Sequence, residues 1–147
     1  MNAEMSDVFQ NIRILAAAGA AAIYHHGTQT DRFWLEDRIE DVHDYLKCMR
    51  DAGVQVGLGT HTPEVIEYVE EKGWDVDFYM TCFYNINRKR RQSALVSGST
   101  ASPTEEFLPE DPRRMCRVIQ QTEKMCLAFK ILGAFRLCSS QKEVEAA

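Results

Sequence analysis

No apolar run in this sequence reaches the roughly 18 residues that cross a bilayer as a helix, so no membrane-spanning helix is expected. The amino terminus likewise carries no charged region followed by a leader-like apolar stretch. The five cysteines (Cys48, Cys82, Cys116, Cys126 and Cys138) are odd in number and form no C-x-x-C pair, which argues against a disulfide framework or a structural zinc site and for a reducing compartment. A cytoplasmic protein is therefore expected. Basic residues are in the minority, 17 Lys and Arg against 22 Asp and Glu for a net charge of -5. Nucleic acid is then not expected as a main partner, because phosphate binding needs clustered cations. The one basic run, RKRR at 88 to 91, reads as a solvated loop. Neither H-x-H nor H-E-x-x-H spacing occurs, so no metal motif is announced.

What is present is an ordinary globular composition, 45% hydrophobic and 27% charged, with room for one core. Ser6 can cap a helix whose apolar positions Val8, Phe9, Ile12, Leu15 and Ala16 recur at helical spacing until Gly19. AAAIY (20 to 24) reads as a strand and GTQTDRFW as irregular. Residues 36 to 52 place Ile39, Val42, Tyr45, Leu46 and Met49 on one helical face, and Gly53 marks the stop. VQVGL is the next strand, Pro63 opens a helix that ends at Gly73, and WDVDFYMTCFY is the third strand. Residues 86 to 110 form a long Ser-, Thr- and Pro-containing loop, expected to leave the rim as a lid. A helix then starts at Asp111 and Pro112, CLAFKIL (126 to 132) is the fourth strand, and a last helix begins near Ser140.

Strands alternating with helices through short connections call for a parallel sheet with right-handed crossovers. The polar residues of each unit cluster at the strand's C-terminal end: His25 and His26, then Thr60 and His61, then Cys82, Tyr84 and Asn85, then Lys130. That is where (β/α)8 barrels place their active sites, so the expected fold class is α/β, a partial barrel of about four parallel strands in a single incomplete domain over 1 to 147. Alternation sends Val54, Val56 and Leu58 toward the helices and Gln55, Gly57, Gly59 and His61 the other way. The same reasoning puts Leu127, Phe129 and Ile131 against the helices, and Ala128 and Lys130 inside.

The run AAIYHHG, followed by DYLKCMRDAGVQVGLGTHTPEVIEYVEEKGWDVDFYMTCFYN and CLAFKILGAFRL, resembles the middle of the aldo/keto reductase family over residues 20 to 138. The order of short motifs is similar: a strand ending in His and Gly, a helix ending in a basic residue and Ala-Gly, a strand of Gly-Val-Ser-x-His type, and one ending in Tyr-Asn. That family is a (β/α)8 barrel that binds NADP and reduces carbonyls by hydride transfer. The resemblance implies that His26 polarises a substrate carbonyl and that Phe129 stacks on the nicotinamide, with Thr60 and Asn85 as further cofactor contacts. It also implies that strands carrying the family's catalytic Tyr, Lys and Asp lie outside this chain. Two positions depart from the family, with Gly59 in place of Ser and Met80 in place of Gln.

Other chemistries compete for the same residues. Lys130 on an inward position is a candidate Schiff-base nucleophile for an aldolase-like reaction, against the plainer reading that it snorkels to the rim or pairs with Asp77. His26 and His61 from neighbouring strand ends suit a divalent metal in an isomerase or hydrolase. Cys82 is a candidate nucleophile, against the commoner inert buried thiol. His25 faces a helix, Trp34, Trp74, Phe78 and Tyr79 read as core, and EYVEEK as a solvent face. A non-catalytic barrel that binds a small molecule completes the alternatives.

Overall fold

The computed structural model describes residues 7 to 88 and 105 to 146. The chain runs α1 (Val8–Ala17), β1 (Ala22–His25), α2 (Gly27–Leu35), α3 (Ile39–Asp51), β2 (Gln55–Thr60), α4 (Pro63–Glu71), β3 (Phe78–Cys82), α5 (Asp111–Gln121), β4 (Met125–Phe129) and α6 (Gln141–Ala146). All strand pairs are parallel and the spatial order follows the sequence, β1-β2-β3-β4. Right-handed crossovers between successive neighbours put the connecting helices on one face of such a sheet. The protein is thus α/β, with a four-stranded parallel sheet alternating with helices.

Local chemistry explains the helices. On α3 the buried residues Ile39, Val42, Leu46 and Met49 form one stripe, with Glu40 and Asp41 in the first turn and Arg50 in the last, as the helix dipole favours. Asp7, rather than Ser6, caps α1 by accepting from the Gln10 amide. Pro63 sits in the first turn of α4, where its missing N–H costs nothing. The core is the single layer between helices and sheet: Val56, Leu58 and Tyr79 from the strands, packed with Ile66, Val69 and Trp74 among others.

Among the described residues no helix covers the opposite face, which carries Tyr24, Gly57, Phe78 and Met125 in one cross-strand row. A Cβ on Gly57 would lie 2.3 Å from the Phe78 ring and 2.6 Å from Tyr24 Cβ, so the glycine is what lets Phe78 lie down on the sheet. This face is open at Tyr24, Leu127 and Met125, exposed by 41%, 45% and 66%, and closed at Cys82, which is fully buried.

Four expectations are corrected. GTQTDRFW is not irregular: it is helix α2, capped by the His26 side chain, which accepts from the Thr28 amide at 3.3 Å. The alternation along β4 is inverted: Cys126 pairs with core residue Tyr79, so Leu127 and Phe129 share the open face with Met80 and Cys82. Lys130 lies past the strand end with φ +58, where alternation does not set its direction. Its suggested partner Asp77 is at the other end of the sheet, paired with Arg50 at 3.0 Å. Within EYVEEK, Glu70 is not free in solvent but accepts from Tyr79 Oη at 2.5 Å and pairs with Lys124 at 2.9 Å. Of the 86 to 110 segment and the RKRR run, residues 89 to 104 lie outside the described residues, and with them most of the expected lid.

Candidate functional site

The site grows from the junction of α2 with the C-terminal end of β2. Helix α2 comes down against the strand backbone at two glycines. A Cβ on Gly27 would stand 3.2 Å from both Thr60 N and His61 Cε1, and one on Gly59 would stand 3.0 Å from Gly27 N. This approach drives Asp31, 1% exposed, under the strand end.

A carboxyl group so deeply buried needs several hydrogen-bond partners, and Asp31 has them. Thr60 Oγ1 donates to Oδ1 at 2.5 Å, and Asn87 Nδ2 and His61 Nδ1 donate to Oδ2 at 2.6 and 2.7 Å. The His61 amide reaches both oxygens at 3.2 Å. Asn87 Nδ2 also lies 2.9 Å from His61 Nδ1, a contact between two donors brought together by the acceptor they share. Nδ1 gives its hydrogen to Asp31, so Nε2 is the ring nitrogen left to exchange a proton with a ligand. The ring meets Phe129 edge-on, centroids 5.8 Å apart.

His61 lines a small cavity of about 40 Å³ with Cys82, Asn85, Arg88 and Asp111. That is room for water-sized guests. Arg88 pairs with Asp111, which also accepts from the Asn85 amide at 3.1 Å. The side-chain oxygens of Asn85 and Asn87 are buried without a hydrogen-bond partner among the described residues.

The sequence-derived candidates fall out differently. His61 is central. Thr60 is fully buried, its hydroxyl donating to Asp31 and accepting from the Thr62 amide at 2.9 Å, so it serves the network from within. Phe129 and Asn85 stand beside His61, the first through its ring and the second through the cavity. His26 is exposed at the same rim; its pKa is lowered by desolvation of the covered part of the ring, then by the nearby His61 and, more weakly, Lys130. His25 stays with the helices as expected. It bonds Thr30 Oγ1 at 2.8 Å and stacks on Tyr45, and burial pushes its pKa down to about 4, so it is a neutral packing group. Burial pushes the Cys82 thiol up to about 11, which leaves it protonated near neutrality and a weak nucleophile.

Two network members went unread in the sequence, Asp31 and Asn87. The only signal for Asp31 was its place in a helix whose buried face, Gly27, Thr30, Asp31 and Phe33, is too polar to show as an apolar stripe. Among the described residues, no group of three or more His, Cys, Asp and Glu side chains is placed to hold a metal ion. No helix among them is long and apolar enough to cross a membrane. No protein-family model, curated protein or solved structure matches the chain.

Proposed function

We propose that the chain is part of a (β/α) barrel enzyme acting on a small carbonyl or sugar-like compound, with His61 as the acid–base group. The observation that carries this reading is the buried Asp31–His61 pair at the C-terminal end of a parallel sheet. A carboxylate behind the imidazole fixes its tautomer and stabilises the imidazolium that forms when Nε2 takes a proton, an arrangement suited to general acid–base work. Parallel α/β sheets bind ligands at that end. The unpartnered oxygens of Asn85 and Asn87 are acceptors of the kind that a hydroxyl-bearing compound satisfies. The one-sided helix layer and sequential strand order support the barrel, in which the open face carrying Phe78 and Leu127 is the interior.

Within this class, NADP-dependent reduction is the reading carried by the resemblance to aldo/keto reductases. When bound, NADPH supplies the hydride that reaches the carbonyl carbon. The chain's part is the proton that the carbonyl oxygen takes, from Nε2 of His61 after that nitrogen has taken one up from water, with His26 at the same rim to polarise the carbonyl. With Thr60 committed to Asp31, contacts to the nicotinamide fall to Phe129 and Asn85. A second reading follows from the same pair: an imidazole whose Nδ1–H bonds a carboxylate is also the usual orientation of a metal-ligating histidine, and His26 would join His61 on a divalent ion. Incubation of the purified protein with NADPH and a panel of small aldehydes and aldoses, with and without Mg²⁺, Mn²⁺ or Zn²⁺, separates the two. We expect turnover to fall at least about a hundredfold in His61→Gln. Undiminished turnover in that variant, or no turnover of any aldehyde or aldose in the intact protein, overturns the proposal.

A further inference from the structure

A second concavity shares no lining residue with the cavity at His61 and is bordered by Tyr84, the neighbour of Asn85 in the chain. Between the residues leading into α5 and the segment after β4 is a groove of about 420 Å³. That volume is in the range of small-molecule sites, unlike the water-sized cavity at His61. Its walls are apolar, from Tyr84, Phe107, Ile131 and Leu137, and Arg113 and Arg136 also line it. The rings of Tyr84 and Phe107 are 5.1 Å apart, and the Arg136 guanidinium lies 3.8 Å above the Phe107 ring.

The charge of these two arginines is what singles the groove out. Of the nine described arginines four meet carboxylates: Arg38 with Glu36 and Asp41, Arg50 with Asp75 and Asp77, Arg88 with Asp111, and Arg114 with Glu64. Arg136 donates only to the Gly133 and Ala134 carbonyls, at 3.1 and 3.4 Å, and neither it nor Arg113 has a carboxylate partner among the described residues. The segment that carries Arg136 holds Lys130, Ala134 and Phe135 at φ of +58, +50 and +73, conformations that L residues with side chains adopt at a cost. Two guanidiniums without a carboxylate among the described residues, beside two aromatic rings tilted 48° to each other in a chain of net charge -5, match a ligand with an anionic group and a flat apolar body.

We infer that this groove binds a small organic anion, a carboxylate or phosphate ester with an aromatic or similarly planar body, its charge held by Arg113 and Arg136 and its plane against Phe107 and Tyr84. The assignment stands on the groove itself and does not depend on acid–base chemistry at His61. Where both hold, the groove is the anchor for the end of the substrate remote from the reacting atom.

The test uses the purified protein, isothermal titration calorimetry and three probes of one shape: 2-naphthyl phosphate, 2-naphthoate and neutral 2-naphthol. We expect saturable binding of an anionic probe at least about tenfold tighter than 2-naphthol, with the stronger of the two anions identifying the head group. Arg113→Met is the cleanest variant, since that side chain is exposed and bonds nothing that folding would miss. Arg113→Met and Arg136→Met should each weaken the anion about tenfold, the size of one charge-assisted contact, while leaving 2-naphthol unchanged. Arg117→Met, which removes an equal charge from the same helix outside the groove, should have no effect. Equal binding of neutral and anionic probes, an equal loss in Arg117→Met, or no binding of either anion at 10 mM overturns the assignment. His61→Gln separates the two claims, because it lowers turnover at least about a hundredfold under the proposed function yet leaves naphthyl phosphate binding intact.

Discussion

The two ends of the sheet hold their charges in opposite ways. At the N-terminal end, Arg50 bridges Asp75 and Asp77 at 2.8 and 3.0 Å with side chains 36%, 74% and 36% exposed, so water and salt screen the attraction. At the C-terminal end, Asp31 and His61 meet at 2.7 Å with side chains 1% and 4% exposed, and every donor around the carboxylate is buried with it. Geometry alone would rank the two as similar fastenings. Burial separates them: the outer pairs can be dispensed with, whereas the inner carboxylate has taken over the solvation of four polar groups.

The sharpest way to break this contrast is Asp31→Ala. It strands the Thr60 hydroxyl, the His61 amide and ring N–H and the Asn87 amide without an acceptor, and should destabilise the fold by roughly 3 to 5 kcal/mol. A denaturant midpoint equal to the parent's would show that the two ends are equivalent after all. Next in size is a pH effect from His25, which is buried against the helices rather than in the network. Its pKa is lowered to about 4, so the unfolded chain takes up the proton first as the pH falls. The stability it protects is complete above about pH 6.5 and is lost between there and pH 4, amounting to about 3 kcal/mol. Urea unfolding at pH 7 and at pH 4.5 should show the drop, and His25→Phe should flatten it; an unchanged pH slope in that variant would assign the loss elsewhere. Smallest is Arg50→Met, for which we expect less than about 1 kcal/mol, shrinking further in 0.5 M NaCl. A salt-independent loss of several kcal/mol would erase the distinction drawn here.

Much of the fold could be read before the structure was seen, for definite reasons. Gly19, Gly53 and Gly73 end α1, α3 and α4 at φ of +91, +77 and +63, a backbone region where glycine carries no steric cost. The strand positions followed from apolar runs between such stops. Alternation, by contrast, tells which residues share a face but not which face is covered. Leu127 and Phe129 have the bulk of core residues, yet the register of Cys126 with Tyr79 turns them to the side without helices. The site was half legible. His61 is visible at a strand end, while Asp31 sits in a helix that lacks an apolar stripe and whose first amides are capped by a histidine, a residue outside the usual Ser, Thr, Asp and Asn set. Asn87 lies in a turn after β3, and no spacing rule connects it to residue 31.

The sequential order of the sheet also sets the cost of assembling it. Residues that pair across β2 and β3 are 21 apart in the chain, those across β1 and β2 are 33 apart, and those across β3 and β4 are 47 apart. On loop entropy alone, closing the last of these costs about 0.7 kcal/mol more than closing the first. The cheapest long-range pairing is therefore the one built on the strand that ends beside His61, through a single short helix. The contact of His61 with Asp31 spans 30 residues and requires α2 to have formed on its far side. The histidine belongs to the part of the chain with the lowest barrier to order, and its carboxylate to a part that must be recruited to it.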